Sequence, residues 1–150
     1  YDAIKDYLFY YKEAFLFFVV DHFSYSFKEQ KLLASKVYCI DNGLRNAVSF
    51  KFSKDEGKLV ENLVLIELKR RKKDGYYWKG KKEVDFVVKK KDGSLVGINV
   101  CYGEFDEREI EGLLEFKKEF KVKELIIITK DVEKEEGIKY VPLWKWLLGI

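Results

Sequence analysis

The chain has 150 residues, of which 47% are hydrophobic, 17% aromatic and 37% charged, and its formal net charge is +3. So many aromatic side chains exclude a disordered chain and predict a buried core. A single histidine, His22, excludes a zinc site of the usual kind, and two widely separated cysteines, Cys39 and Cys101, predict a reduced cytoplasmic protein. The longest apolar run, residues 14–20, is too short to span a bilayer, so no membrane partner is expected.

The composition also bears on source and completeness. Charged residues are mostly Lys and Glu, Gln occurs once, and Met is absent, which is typical of proteins from hot environments. Because Met is absent, we expect Tyr1 to be an internal position of a longer protein. No G-x-x-x-x-G-K motif is present, so any ATP would bind only in a missing N-terminal domain.

The first third of the chain predicts short elements. Hydrophobic spacing and turn residues predict a helix over 1–16, a strand over 15–20, a strand over 36–40 and a short helix over 44–50. The segment between residues 23 and 36 is predicted to be irregular.

From residue 55 onward, periodicity predicts the order α-β-β-β-α-β-β-α. The predicted bounds are a helix over 55–71, strands from 76, over 83–90 and over 95–102, a helix over 106–120, strands over 125–129 and 139–141, and a helix from Pro142. This order predicts an α/β fold, a central mixed β-sheet flanked by helices.

Asp92-Gly93 predicts a hairpin between the second and third of these strands. A three-residue loop, 91–93, would place Gly93 in the left-handed conformation and pair Asp85 with Asn99, with Cys101 as a diagonal neighbour. One face of the hairpin would be apolar, formed by Val84, Phe86, Val88, Val96, Ile98 and Val100. The other face, carrying Asp85, Gly97, Asn99 and Cys101, is expected to be half covered and to lie next to the helix that carries Glu61.

Four motifs stand in order: Gly57-Lys-Leu-Val-Glu61-Asn, Tyr77-Trp78, Glu83-Val-Asp85-Phe-Val and Gly97-Ile-Asn99-Val-Cys101. Together they resemble the restriction-endonuclease-like, or PD-(D/E)xK, domain. More narrowly, they resemble the C-terminal domain of a chiefly archaeal family of AAA-type ATPases. The segment 36–44, with Lys36-Val-Tyr, resembles the beginning of that domain. The resemblance therefore implies a winged-helix remnant over 1–35 and a restriction-endonuclease-like domain over 36–150, with the ATPase domain upstream as a partner.

The resemblance also implies roles for particular residues. Glu61 matches the first acid of the family and Asp85 its metal-binding aspartate, and the two would hold Mg²⁺. The metal would polarise the phosphate and activate a water molecule. Asn99 and Cys101 stand where the family has an acid or Gln and a Lys.

These two positions depart from the family pattern. Asn99 is a neutral ligand, which argues against Mg²⁺, and Cys101 cannot supply a fixed positive charge. Loss of one such group costs ~10²–10³ in rate in comparable sites. A relocated lysine could compensate, and Lys58, Lys79, Lys81 and Lys82 are the candidates.

Three functions are compatible with these motifs. The preferred one is a degenerate nuclease-like domain of an ATPase that binds DNA or a partner without efficient cleavage. The alternatives are an active Mg²⁺-dependent DNA endonuclease and a protein-interaction or oligomerisation module. Lys79, Lys81 and Lys82 are candidate DNA contacts or simply solvated surface, and Glu83 is predicted to be a surface residue. The aromatic excess at Phe9, Tyr10, Phe17 and Phe18 predicts a contact with the missing part or with another subunit.

Overall fold

The computed structural model describes residues 2–48, 56–103 and 107–150. Within these ranges the helices are α1 (Asp2–Glu13), α2 (Phe27–Gln30), α3 (Asn42–Val48), α4 (Glu56–Arg70), α5 (Glu107–Glu119) and α6 (Leu143–Leu148). The strands are β1 (Phe17–Val20), β2 (Lys36–Cys39), β3 (Gly75–Lys79), β4 (Glu83–Lys89), β5 (Leu95–Cys101), β6 (Val122–Thr129), β7 (Lys134–Glu135) and β8 (Lys139–Pro142). The outer ends of four predicted helices, at residues 1, 49–50, 55 and 106, lie outside the described residues.

The larger sheet has six strands in the order β3-β4-β5-β6-β8-β7. Strands β3, β4 and β5 form an antiparallel meander, whereas β5, β6 and β8 are parallel and β7 is antiparallel to β8. Helix α5 makes the crossover that two parallel neighbours require. The predicted α/β fold with a central mixed sheet and flanking helices is confirmed. The two-residue β7 was not predicted, because so short a strand leaves no alternating pattern.

The N-terminal strands form a second, two-stranded sheet. Strand β1 is antiparallel to β2, with Phe17 opposite Cys39. The segment after β1 joins the edge of β3, where Tyr77 N donates to Asp21 O at 3.1 Å. The predicted domain boundary between residues 35 and 36 thus falls between two paired strands, and the division itself stays a prediction. Helix α2 lies in the segment predicted to be irregular, and the Ser26 side chain caps it.

Two apolar cores cover the two faces of the six-stranded sheet. The α4 core includes Val60, Val64, Leu65, Phe86, Ile98, Ile128 and Trp146. The α5 core includes Trp78, Val84, Val87, Cys101, Leu113, Phe116 and Ile127. Because both faces are covered, a polar side chain on this sheet has to find a partner in the interior. No helix in the described ranges is both long enough and apolar enough to cross a membrane.

The hairpin between β4 and β5 has the predicted register. Phe86 pairs with Ile98, Lys90 N donates to Ser94 O at 2.8 Å, and Gly93 has φ +80°. The assignment of faces is wrong at Val84, which packs in the α5 core while Phe86 packs in the α4 core. It is also wrong at Asp85, whose carboxylate lies on the α4 side of the sheet near Lys36 and not on the face of Gly97, Asn99 and Cys101. A shift in the β3–β4 register inserts one extra β4 residue between Val84 and Val87 and reverses the alternation.

The expectation of a half-covered face is also wrong. Gly97, Asn99 and Cys101 are buried beneath α5. A Cβ added at Gly97 would lie only 3.1 Å from Leu113 and 3.3 Å from Phe116. The amphipathic helix α5 packs closely here because Gly97 carries no side chain.

Candidate functional site

Four side chains from three separate elements meet beside α4. We call Lys36, Glu61, Glu83 and Asp85 the acid–lysine cluster. Lys36 Nζ, on β2, lies 2.5 Å from Glu83 Oε1, 3.4 Å from Glu61 Oε1 and 3.9 Å from Asp85 Oδ1. The two acids that the sequence predicts, Glu61 and Asp85, therefore converge on one ammonium group.

Hydrogen bonds independent of the lysine hold both acids in place. The Tyr38 hydroxyl donates to Glu61 Oε1 at 2.5 Å. Val100 N donates to Asp85 Oδ2 at 2.9 Å, and Asp85 N donates to Asn99 Oδ1 at 3.0 Å. Beyond the last paired residues, Phe86 and Ile98, the backbone amides of Asp85 and Val100 thus donate hydrogen bonds to side chains of the hairpin. The Asp85 carboxylate is fixed by its own strand neighbour.

Asn99, on β5, lies opposite Asp85, but its side chain makes different contacts. Its side chain is fully buried, and its Nδ2 donates to Glu109 Oε2 at 2.7 Å and to Glu109 O at 3.0 Å. The Asn99 amide bonds both to Glu109 of α5 and to the β4 backbone, and it therefore fixes the hairpin to that helix. This geometry favours a structural part for Asn99.

Cys101 packs within the α5 core, among Ile127, Leu113 and Phe116. Glu61 lies on α4, on the other face of the sheet. The expected placement of the Cys101 thiol on a face next to Glu61 is therefore wrong. The reason is that Gly97, Asn99 and Cys101 lie on the face of the sheet that α5 covers.

The lysine that the structure brings to the acids is Lys36, which sequence reasoning did not select. Of the four predicted candidates, Lys58 lines the adjacent cleft, and Lys79 and Lys81 are exposed. Lys82 pairs with Glu111 of α5 at 3.2 Å. The backbone amides of Lys81 and Lys82 also bind the Glu115 carboxylate, at 3.1 Å each. The 79–82 loop is thus fastened to α5.

Charge is unevenly distributed across the cluster. Burial raises the pKa of Asp85 well above its ordinary value, and Glu61 raises it further, while Lys36 opposes both. Burial by itself would lower the pKa of Lys36, but Glu61, Glu83 and Asp85 together raise it above its ordinary value. Burial, followed by Glu61, also raises the pKa of Tyr38, so its hydroxyl stays a proton donor. One ammonium group serves three carboxyl groups and does not fully balance them.

The cluster opens into a cavity of about 780 Å³. Its wall carries three cationic side chains, Lys36, Arg45 and Lys58, and two acids, Glu61 and Glu83. The remaining wall is largely apolar and includes Phe17, Val37 and Val48. Such a cleft, with a few convergent charged groups, is the usual form of a ligand site.

The family described as domain of unknown function DUF4143 matches residues 56–146. The chain belongs to this family. The DUF4143 match begins at the start of α4 and ends within α6, so it contains Glu61 and Asp85. Lys36 and Tyr38 precede it. The cluster is therefore completed by a strand from outside the matched range.

Two curated relatives match almost the whole chain. The uncharacterized protein MJ1544 of the archaeon Methanocaldococcus jannaschii is 38% identical over 98% of this chain. An uncharacterized protein of the bacterium Haemophilus influenzae is 32% identical over 97% of it. The chain spans 36% and 37% of the length of these two proteins, so both are much longer. No solved structure matches the chain.

The resemblance implies that the carboxylates of this DUF4143 chain would bind Mg²⁺, but their arrangement does not suit that ion. Carboxylate oxygens are the ligands that Mg²⁺ prefers, but here they converge on the Lys36 ammonium. Within the described ranges, no group of three or more His, Cys, Asp or Glu side chains is arranged to hold a metal ion. As placed, the residues fit an internal ammonium and do not fit a divalent metal.

Sequence reasoning missed three members of the site. Lys36 and Tyr38 stand in the motif Lys36-Val-Tyr, whose alternation places both side chains on one face of β2, and that was the available signal. Glu83 was predicted to be a surface residue, but it lies two residues before Asp85 on β4 and contacts Lys36. Nothing in the sequence indicated that β2 crosses beside α4.

Proposed function

We propose that the chain is a nuclease-like domain of a larger ATPase, which binds DNA without cleaving it efficiently. One observation carries the proposal: the acids Glu61 and Asp85 converge on Lys36 beside a cleft, while Asn99 and Cys101, at the positions that would complete a catalytic set, are buried on the other face. The site keeps the acid pair of a phosphodiester-cleaving centre. It lacks the lysine that such a centre would carry on β5, because Cys101 stands at that position.

Two cationic side chains of the cleft wall, outside the acid–lysine cluster, support a polyanionic ligand. Arg45 and Lys58 lie on the wall beyond the acids, where they can contact phosphate groups. Their fixed positive charge would attract a nucleic-acid backbone, and its counterions would be released on binding. The resemblance of the sequence motifs implies an upstream ATPase domain, and the greater length of both relatives leaves room for one.

A cleavage assay and a binding assay test this proposal. The protein is incubated with plasmid DNA and Mg²⁺ or Mn²⁺, and we expect no cleavage that depends on Asp85. DNA binding should weaken steeply with salt, and Arg45→Ala or Lys58→Ala should each lower the slope of log K against log salt by about 1. Lys134→Ala, a substitution of an exposed lysine on β7, is the matched control and should leave the slope unchanged.

The outcomes separate the surfaces as well as the functions. If Lys81→Ala and Lys82→Ala weaken binding and the Arg45 and Lys58 variants do not, DNA contacts the 79–82 loop and the cleft assignment is wrong. If no salt-dependent binding occurs at all, the proposal fails.

An active endonuclease is the second candidate, and one observation favours it. Lys36 contacts Glu61 and Glu83 and approaches Asp85, so it could serve as the relocated lysine. Plasmid cleavage that is lost in both Asp85→Ala and Lys36→Ala, and retained in Lys134→Ala, would establish this function in place of the first.

An interaction module is the third candidate. The side chains of Phe9 and Tyr10 on α1 are 59% and 64% exposed, and Phe15 is 73% exposed. A run of exposed aromatic side chains is typical of a protein contact. Failure of DNA binding, together with dissociation of an oligomer by Phe9→Ser in size-exclusion chromatography, would favour it.

A further inference from the structure

We propose that Lys36 is a resident cation that takes the place of a divalent metal ion among Glu61, Glu83 and Asp85. While the lysine is present the cluster binds no divalent metal, and removal of its ammonium group converts the cluster into a divalent-metal site. The inference rests on the proposed function, since both treat the cluster as a non-cleaving form of a metal-dependent centre.

The position of the ammonium group is the first support. It lies within 4 Å of three carboxylates that come from α4 and β4, and it also lies 5.3 Å from the centre of the Tyr77 ring. Its side chain and those of Glu61 and Asp85 are largely removed from solvent. Converging carboxylates in such surroundings require a cation, and Lys36 provides one from inside the chain.

The chemistry of the donors is the second support. An ammonium group offers three N–H donors, which equals the number of carboxylates around it. Two carboxylates lie within hydrogen-bond distance, but Asp85 Oδ1, at 3.9 Å, does not. The ammonium therefore satisfies Glu61 and Glu83 and leaves Asp85 incompletely balanced. Carboxylate oxygens are the donors that a hard divalent ion such as Mn²⁺ or Mg²⁺ prefers, and around the ammonium group they are not arranged to hold one within the described ranges.

The third support is that the acids are held without the lysine. Tyr38 fixes Glu61, and Val100 N fixes Asp85. Asn99, itself bonded to Glu109, fixes the Asp85 backbone. Loss of Lys36 would therefore leave at least these two carboxylates facing each other across the space that the ammonium filled. A cation in solution would then be attracted to that space.

The test measures Mn²⁺ binding to the chain without nucleic acid, by titration calorimetry and by the electron paramagnetic resonance signal of free Mn²⁺. Lys36→Met removes the ammonium group and keeps an unbranched side chain that is one atom shorter. We expect no saturable binding by the wild type and a gain of at least about tenfold in affinity for Lys36→Met. Lys36→Arg keeps the charge and should behave as the wild type. Lys36→Met combined with Asp85→Asn should lose the gain.

Two results would overturn the proposal: saturable Mn²⁺ binding by the wild type that Asp85→Asn removes, or a folded Lys36→Met chain that gains no affinity. If Lys36→Met does not fold, thermal unfolding decides. Mn²⁺ should then change the unfolding temperatures of the wild type and of Asp85→Asn by the same amount. Stabilisation of the wild type alone would contradict the proposal. Because no assay contains DNA, these failures are distinct from a failure of the proposed function.

Discussion

Helix α4 carries two ionic clusters, and their charges are balanced in opposite ways. Near its C-terminal end, the buried Glu67 accepts hydrogen bonds from Arg70 at 2.6 and 2.7 Å and from Arg71 at 2.6 Å. Near its N-terminal end, Glu61 shares the single ammonium of Lys36 with Glu83 and Asp85. One carboxylate has two cations in the first cluster, whereas one cation has three carboxylates in the second.

The pKa values show the difference. Hydrogen bonds from Arg70, and then from Arg71, lower the pKa of Glu67 to about 2 against the opposing effect of burial. The pKa of Asp85 is raised instead. Arg71 also donates to Trp146 O at 2.6 Å and lies over the Trp146 ring, so the first cluster joins α6 to α4. We infer that the Glu67 cluster stabilises the fold, while the acid–lysine cluster is maintained at a cost to stability, as functional sites often are.

The largest predicted effect tests the Glu67 cluster. Glu67→Gln should lower the free energy of unfolding by about 3 kcal/mol, because it leaves Arg71 partly buried without its carboxylate. Urea denaturation at pH 7 measures the change. Glu56→Gln, on the exposed first turn of the same helix, is the control and should lie within about 0.5 kcal/mol of the wild type. Equal effects for the two variants would remove the contrast between the clusters.

The second prediction concerns the contact between α5 and the strand that carries Glu83 and Asp85. A Cβ added at Gly112 would lie 2.4 Å from Glu83 O, so Gly112→Ala should push α5 away and destabilise the chain by about 2 kcal/mol. Gly57→Ala on α4 is the matched control, since no described residue lies within 4 Å of its added Cβ. It should be neutral or stabilise by up to about 1 kcal/mol. A neutral Gly112→Ala would show that α5 does not fix this end of β4.

The third prediction tests the cost of the acid–lysine cluster. Because the pKa of Asp85 is raised in the folded state, the folded chain binds more protons than the unfolded chain, and its stability falls as the pH rises above about 4. Asp85→Asn removes this loss and should stabilise the chain by about 1 kcal/mol at pH 8, with less gain at pH 5. Urea titrations at both pH values measure the gain.

Asp92 is the matched control for this prediction. Hydrogen bonds from Ser94 lower the pKa of Asp92 to about 2, so its charged form is favoured by folding. Asp92→Asn should therefore destabilise the chain at both pH values. Destabilisation by Asp85→Asn at pH 8 would contradict the claim that the cluster opposes folding.

The smallest predicted effect comes from His22, which responds to pH in the other direction. Its Nε2 accepts from Lys79 N at 3.2 Å, its buried Nδ1 has no hydrogen-bond partner among the described residues, and burial lowers its pKa. The neutral form is favoured by folding, so this contribution is complete above about pH 6.5 and is lost as the pH falls below it. The stability difference between the wild type and His22→Gln should shrink from pH 7 to pH 5. A constant difference would show that His22 does not titrate with folding.

Local chemistry made much of the fold predictable. The Asp92-Gly93 turn fixes the hairpin register, because only a three-residue loop with Gly93 at positive φ pairs Lys90 with Ser94. The apolar stripe of α4 and the β-branched run of β6 likewise depend on residues close in sequence. These signals indicated the element order, and family motifs pointed to Glu61 and Asp85.

The composition of the site was decided at longer range. The extra residue in β4 sends Val84 to the α5 core, and α5 covers Asn99 and Cys101, which no periodicity in either strand indicates. Lys36 meets Glu61 across 25 residues of sequence because β2 lies beside α4. The sequence by itself determined most of the elements, since turns and amphipathic spacing act locally, and its family motifs pointed to two of the acids. Only the packing of β2 and α5 onto the sheet decided which side chains surround those acids, because that depends on contacts between distant segments.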